Sequence, residues 1–113
     1  MLEGIVVYVD GQRYVMPRLT MRIVKDHWPD LVKLRKLATS GTPEEQAEAV
    51  PQLAEKQMDM IAAALRRNYP GFARAALDDL EIGQLPKTFN ALVSFSNFET
   101  PAEVEAQGEA VSP

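Results

Sequence analysis

Apolar and polar residues change rhythm several times along this chain, and each change marks an element. From Gly4 to Met16 the run GIVVYVDGQRYVM sets two β-prone stretches either side of Asp10-Gly11. That pair is preferred in two-residue hairpins because both central residues need positive φ. The pattern predicts a hairpin over 4–16, with Val9 opposite Gln12, Val7 opposite Tyr14 and Ile5 opposite Met16 on one face. Val6–Val15 and Tyr8–Arg13 fall on the other face. The first face is the more apolar and is expected to lie on helices, since an isolated hairpin is only marginally stable. Pro17 has no amide hydrogen for a ladder and stops the second strand.

Beyond Pro17 the period lengthens to that of a helix. Thr20 is the expected N-cap of a helix over about 20–39, with Met21, Val24, Trp28, Leu31, Leu34 and Ala38 as its core stripe. Pro29 falls inside it, so the helix kinks there or divides after Trp28, the kink being preferred. Ser40-Gly41 closes that helix. Thr42, Pro43 and Glu45 then form a capping box with proline at the first helical position. The helix that follows runs over about 43–68 with the stripe Val50, Leu53, Met58, Ile61 and Leu65. Pro51 is expected to bend or divide it. Met58 and Met60 cannot both face inward from one helix side, and Met60 is expected to be exposed. Tyr69-Pro70-Gly71 is a stop. A short helix over 73–80 and a last one over 85–96, packed through Phe89, Leu92, Val93 and Phe95 or Ser96, complete the series. No internal repeat is present.

Charge adds a division that hydropathy does not show. The 113 residues carry a formal net charge of -4, and Glu99, Glu103, Glu105 and Glu109 lie in 99–113 with no base among them. The remaining acids therefore equal the 12 bases. Arg13 to Lys36 is the basic part of this neutral body. The fold class expected is α+β, mostly α: an N-terminal hairpin packed on a small bundle of three to five helices. It forms a single domain over 1–98, with a flexible acidic tail over 99–113. The absence of Cys excludes disulfides, thiolate catalysis and Cys-based zinc sites. A lone His removes multi-His metal sites. No secretory leader and no bilayer-length apolar run is legible, so a cytoplasmic, soluble protein is expected.

Little in the chain looks catalytic. His27 stands beside Asp26, with Ser40 and Ser94 elsewhere, but no nucleophile elbow surrounds either serine. No glycine-rich phosphate loop is present, and Asp78 and Asp79, being adjacent, diverge and read with Glu81 as a solvated face. A non-enzymatic protein without cofactor or metal is expected. Two clusters are candidate binding surfaces. Arg22, Lys25, Lys33 and Lys36, spaced by 3, 8 and 3, lie along one helix side that Arg18 extends. Such a stripe holds phosphates or an acidic partner, or is simply the wet side opposite the apolar one. A pI of about 5.0 weighs against nucleic acid. Arg66, Arg67, Tyr69 and Phe72 end the central helix, either as an interaction knob or as cations complementing the helix dipole. Phe95 and Phe98 are either core caps or sticky surface.

The order of these parts resembles a known family. The Asp-Gly hairpin, Pro17 to Arg22 (PRLTMR), Ala64 to Pro70 (ALRRNYP) and the pattern of Leu, Gly, Pro and Phe from Leu77 to Ser96 look like those of small tailed-phage proteins. These are encoded with the tail genes and described as tail assembly chaperones or tail accessory proteins. The resemblance covers about residues 4–96 and contains no catalytic motif. It implies a mainly helical protein made in the bacterial host cytoplasm. Such a protein binds the aggregation-prone tape-measure protein, helps tail-tube subunits assemble around it, and is absent from the virion. No binding residue transfers by resemblance. The alternative is a nucleic-acid-associated or other small helical adaptor that uses the basic Arg18–Lys36 face.

Overall fold

Asp10 and Gly11 both take left-handed backbone, at φ 50° and 77°, and this two-residue turn sets the hairpin. The computed structural model describes residues 1–96. Strand β1 (Gly4–Val9) pairs antiparallel with β2 (Gln12–Pro17), and every pair from Val9–Gln12 to Gly4–Pro17 is in the register expected from the turn. Val7, Val9 and Met16 are buried, Ile5 and Tyr14 half-buried, and Val6 and Tyr8 face outward. Gly4 lies so close to β2 that a Cβ there would collide with the Met16 carbonyl.

Helix α1 (Met21–Ser40) begins at Thr20, whose hydroxyl accepts from the Ile23 amide at 3.3 Å. It runs unbroken through Pro29, although a proline there cannot bond the carbonyl four residues back. Helix α2 (Pro43–Arg66) likewise passes through Pro51 as one element. Its start is the capping box expected from sequence: the Glu45 amide donates to the Thr42 hydroxyl, and Glu45 Oε1 accepts from the Thr42 amide at 2.9 Å. A six-residue 3₁₀ helix (Arg74–Asp79) and α3 (Gln84–Phe95) follow. The fold is thus α+β, mostly α, with an N-terminal hairpin on a small helical bundle. The expected acidic tail over 99–113, and Phe98 with it, lie outside the described residues.

The core depends on where α2 sits. Its C-terminal half touches α1, α3, β2 and the 3₁₀ helix, so it is covered on several sides at once. Met60, Ile61, Ala62, Ala64 and Leu65 are all fully buried there. This corrects the expectation that Met60 is exposed: a one-sided stripe holds only for a helix with one covered side. Small side chains at Ala62 and Ala64 let neighbours approach closely, and Met60 fills the space left over. Two further stripe positions are corrected. Met21 is 68% exposed, Ile23 being the buried residue of that turn, and Val50 is 55% exposed while Ala49 is buried. The covered position lies two residues later in the first turn of α1 and one residue earlier in α2. Trp28 of α1 stacks on Phe89 of α3 at 6.4 Å, joining the first helix to the last.

Burial therefore ranks substitutions on α2. Met60→Ala is expected to cost about 2–5 kcal/mol and Val50→Ala no more than about 0.5 kcal/mol in urea unfolding. The exposed Glu45 carboxyl is held below its ordinary pKa, first by the Thr42 backbone bond and then by its hydroxyl. A lowered folded pKa stabilises above the ordinary value, and that stabilisation is lost as pH falls through the folded one. Thr42→Ala keeps the backbone bond and removes the hydroxyl, so it should raise the Glu45 titration midpoint in NMR only in part; an unmoved midpoint contradicts the hydroxyl's contribution.

Candidate functional site

A two-stranded sheet has two outer edges, and this chain treats them differently. On β2, the Val15 amide donates to the Tyr69 hydroxyl at 2.8 Å, and the Val15 carbonyl accepts from Asn68 Nδ2 at 2.9 Å. Asn68 also pairs with the strand leading into β1: its Oδ1 accepts from the Leu2 amide at 2.7 Å, and its Nδ2 donates to the Leu2 carbonyl at 2.9 Å. The turn after α2 thus carries side chains that imitate a third strand. Tyr14 lies edge-on to Tyr69 and Phe72, with ring centroids at 5.1 and 5.3 Å. Each such bond contributes about 1 kcal/mol net and each ring pair about as much. Together they are a clasp on the hairpin.

This places one predicted cluster. Tyr69 is half-buried and Phe72 buried, both under the hairpin. Arg66 Nε donates to the Phe72 carbonyl at 3.1 Å, and Arg67 Nη1 donates to the Arg18 carbonyl. The four residues do come together, but their contacts turn inward and join the chain to itself.

The other predicted cluster spreads along the outside of α1. Arg22, Lys25, Lys33 and Lys36 are exposed, and none enters a salt bridge among the described residues. Arg18 does not extend them. Its Nε donates to the Phe95 carbonyl at 3.1 Å and its guanidinium lies 4.2 Å from the Phe95 ring centroid, at the C-terminal end of α3. Phe95 is half-buried beneath it. Lys33 opens onto a groove of about 460 Å³ between α1 and α2 that also contains Asp30, Glu55 and Asp59. That groove thus sets three acids beside Lys33 and Lys56.

The hydrolase-like residues do not assemble. His27 is half-buried with Nδ1 3.5 Å from Lys56 Nζ, which also reaches Asp30 at 3.6 Å. Among the described residues no hydrogen bond links His27 to Ser40 or Ser94. Asp78 is no solvated bystander: with Asp59 and Glu55 it surrounds Arg74, at 3.2 Å and, for Asp59, 2.9 Å. Partial burial alone would lower the Arg74 pKa, but bonds to Asp59 and Asp78 and the charge of Glu55 raise it. This knot ties the 3₁₀ helix to α2. Its sequence signal was the four-residue spacing of Glu55–Asp59 and of Arg74–Asp78.

The site that sequence reading missed lies along the other sheet edge. A groove of about 560 Å³ runs between β1 and the segment leading into α3, lined by Ile5 to Tyr8, Asp10, Asp79 to Glu81, Gln84, Lys87, Thr88 and Ala91. Exposed apolar side chains flank it, with Val6 45%, Tyr8 66% and Ile82 93% accessible. Among the described residues no group of three His, Cys, Asp or Glu is placed to hold a metal ion, and no helix is long and apolar enough to cross a membrane. The chain matches no protein-family model, no curated protein and no solved structure.

The clasp has a direct test. Asn68→Ala should cost about 1–3 kcal/mol, because it strands a half-buried carbonyl as well as removing bonds. Tyr69→Phe keeps the ring contacts and removes only the hydroxyl, so faster hydrogen exchange at the Val15 amide is its expected signature. Unchanged exchange there would mean that the clasp does not hold the strand.

Proposed function

We propose that this chain is a non-enzymatic binding protein similar in role to a tail assembly chaperone. In the bacterial cytoplasm it holds the tape-measure protein, and the tail-tube subunits that gather on it, until assembly. The observation that supports this is the uncovered edge and outer face of the hairpin. Val6, Tyr8 and Ile82 offer apolar surface beside an open groove. Exposed apolar surface bordered by polar residues marks places where proteins meet.

A second reading uses the basic face of α1 as a nucleic-acid adaptor. Arg22, Lys25 and Lys36 are exposed without salt-bridge partners among the described residues. Against it stand the engagement of Arg18 on α3 and the acids around Lys33.

Co-expression decides between them. A tape-measure protein co-expressed with this chain should become more soluble and co-purify with it. A folded, soluble partner that does not co-purify overturns the reading. Nucleic acid should not bind even at low ionic strength, where phosphate contacts are strongest. Tight binding that disappears in Lys25→Glu and Lys36→Glu would install the adaptor instead.

A further inference from the structure

Strand β1 is satisfied on one side only. In the observed register Gly4, Val6 and Tyr8 occupy the pairs that exchange no hydrogen bonds, so their N–H and C=O groups point away from β2. The equivalent groups of Val15, on the far side of β2, are the ones Asn68 and Tyr69 take up. Those of β1 open toward the 560 Å³ groove, whose opposite wall runs from Asp79 to Ala91. Edge strands are normally blunted by a proline, a lysine or a bulge. Gly4–Val9 contains neither residue, and its pairing runs without a bulge.

From this we infer that an extended peptide segment with alternating apolar and basic residues adds to β1 as a third strand, seated in the groove. The inference deepens the chaperone reading, on which it rests for the existence of a protein partner, by stating which kind of segment is held. Main-chain bonds to the edge supply affinity, and the groove walls select side chains.

Charge chooses the occupant. The groove carries Asp10, Asp79 and Glu81 against Lys87, and among the described residues the three acids enter no salt bridge. A second copy adding its own β1 antiparallel, with Val6 facing Val6, brings a segment 3–10 that holds Glu3 and Asp10 and no base. The chain's own residues 97–113 contain four Glu and no base. Both candidates bring like charge to an acidic rim. A basic strand brings opposite charge, and its period of two turns apolar residues to one side and bases to the other.

The test uses a synthetic peptide about eight residues long that alternates valine and lysine, with a valine–glutamate peptide as control. The lysine peptide should bind more tightly, shift and protect the Val6 and Tyr8 amides in NMR, and weaken as salt is added. Val6→Pro removes an edge donor that makes no bond to β2, and should weaken binding about tenfold. Glu81→Lys, an exposed change that leaves the backbone alone, should weaken it as well and covers the case in which the proline variant fails to fold. Equal binding of the two peptides, shifts confined to the basic face of α1, or dimerisation abolished by Val6→Pro would each overturn the inference. If Val6→Pro holds the tape-measure protein as tightly as the wild type does, strand addition falls and the proposed function stands. If the peptide binds as expected but the wild-type chain holds no tape-measure protein, the reverse is true.

Discussion

Asn68 and Tyr69 reach across to Val15 and Leu2, and the attachment of the hairpin to the end of α2 depends on that reach. Two strands alone cannot bury enough surface to persist in water. Here one apolar face rests on the bundle while the β2 edge is bonded at Val15 by side chains instead of by another strand. The ring of Tyr14, set edge-on against Tyr69 and Phe72, fills the space beneath. Arg67 extends the same attachment to the loop before α1, and Leu19 continues it by donating to Ser96 Oγ at 2.8 Å. A single turn after α2 thereby gathers the N-terminal strands, the first helix and, through that loop, the end of the last helix.

Features set by neighbours in sequence were legible. The Asp10-Gly11 turn determines the hairpin register, and Thr42 with Glu45 determines where α2 starts, because the bonds involved span three residues or fewer. The failures share a cause. Met60, Met21 and Val50 were assigned from a one-sided stripe, whereas the covered side of each helix is set by what packs on it. Met60 lies where α2 is enclosed from several directions. The clasp was invisible for a related reason: Arg66, Arg67, Tyr69 and Phe72 have a composition favoured at binding sites, and composition does not say whether the partner is another chain or this one. The open β1 edge was implicit in finding a single hairpin, since two strands leave two edges. Which edge stays open depended on a contact made from far along the chain.

The neutrality of the body conceals a separation. Bases line the outer side of α1, while the β1 groove carries an excess of acids. Opposite charges placed on different surfaces do not cancel for a partner that approaches one of them within a Debye length, about 8–10 Å in ordinary salt. The Arg74 knot contributes here: by binding Glu55 and Asp59 it ties the 3₁₀ helix to α2, and by binding Asp78 it leaves Asp79 at the groove. The same short segment thus fastens one acid and presents the next.

The clasp also has a consequence in time. Val15 and its partners are 53 and 54 residues apart. A ribosome adding about 5–20 residues per second needs roughly 3–10 s to cover that interval. A hairpin forms in about 1–10 μs once its residues are free. During synthesis, then, the hairpin segment forms and melts with both edges uncovered for seconds before Asn68 and Tyr69 emerge. The nascent chain therefore passes through an interval of heightened aggregation risk that the finished protein retains along β1 alone.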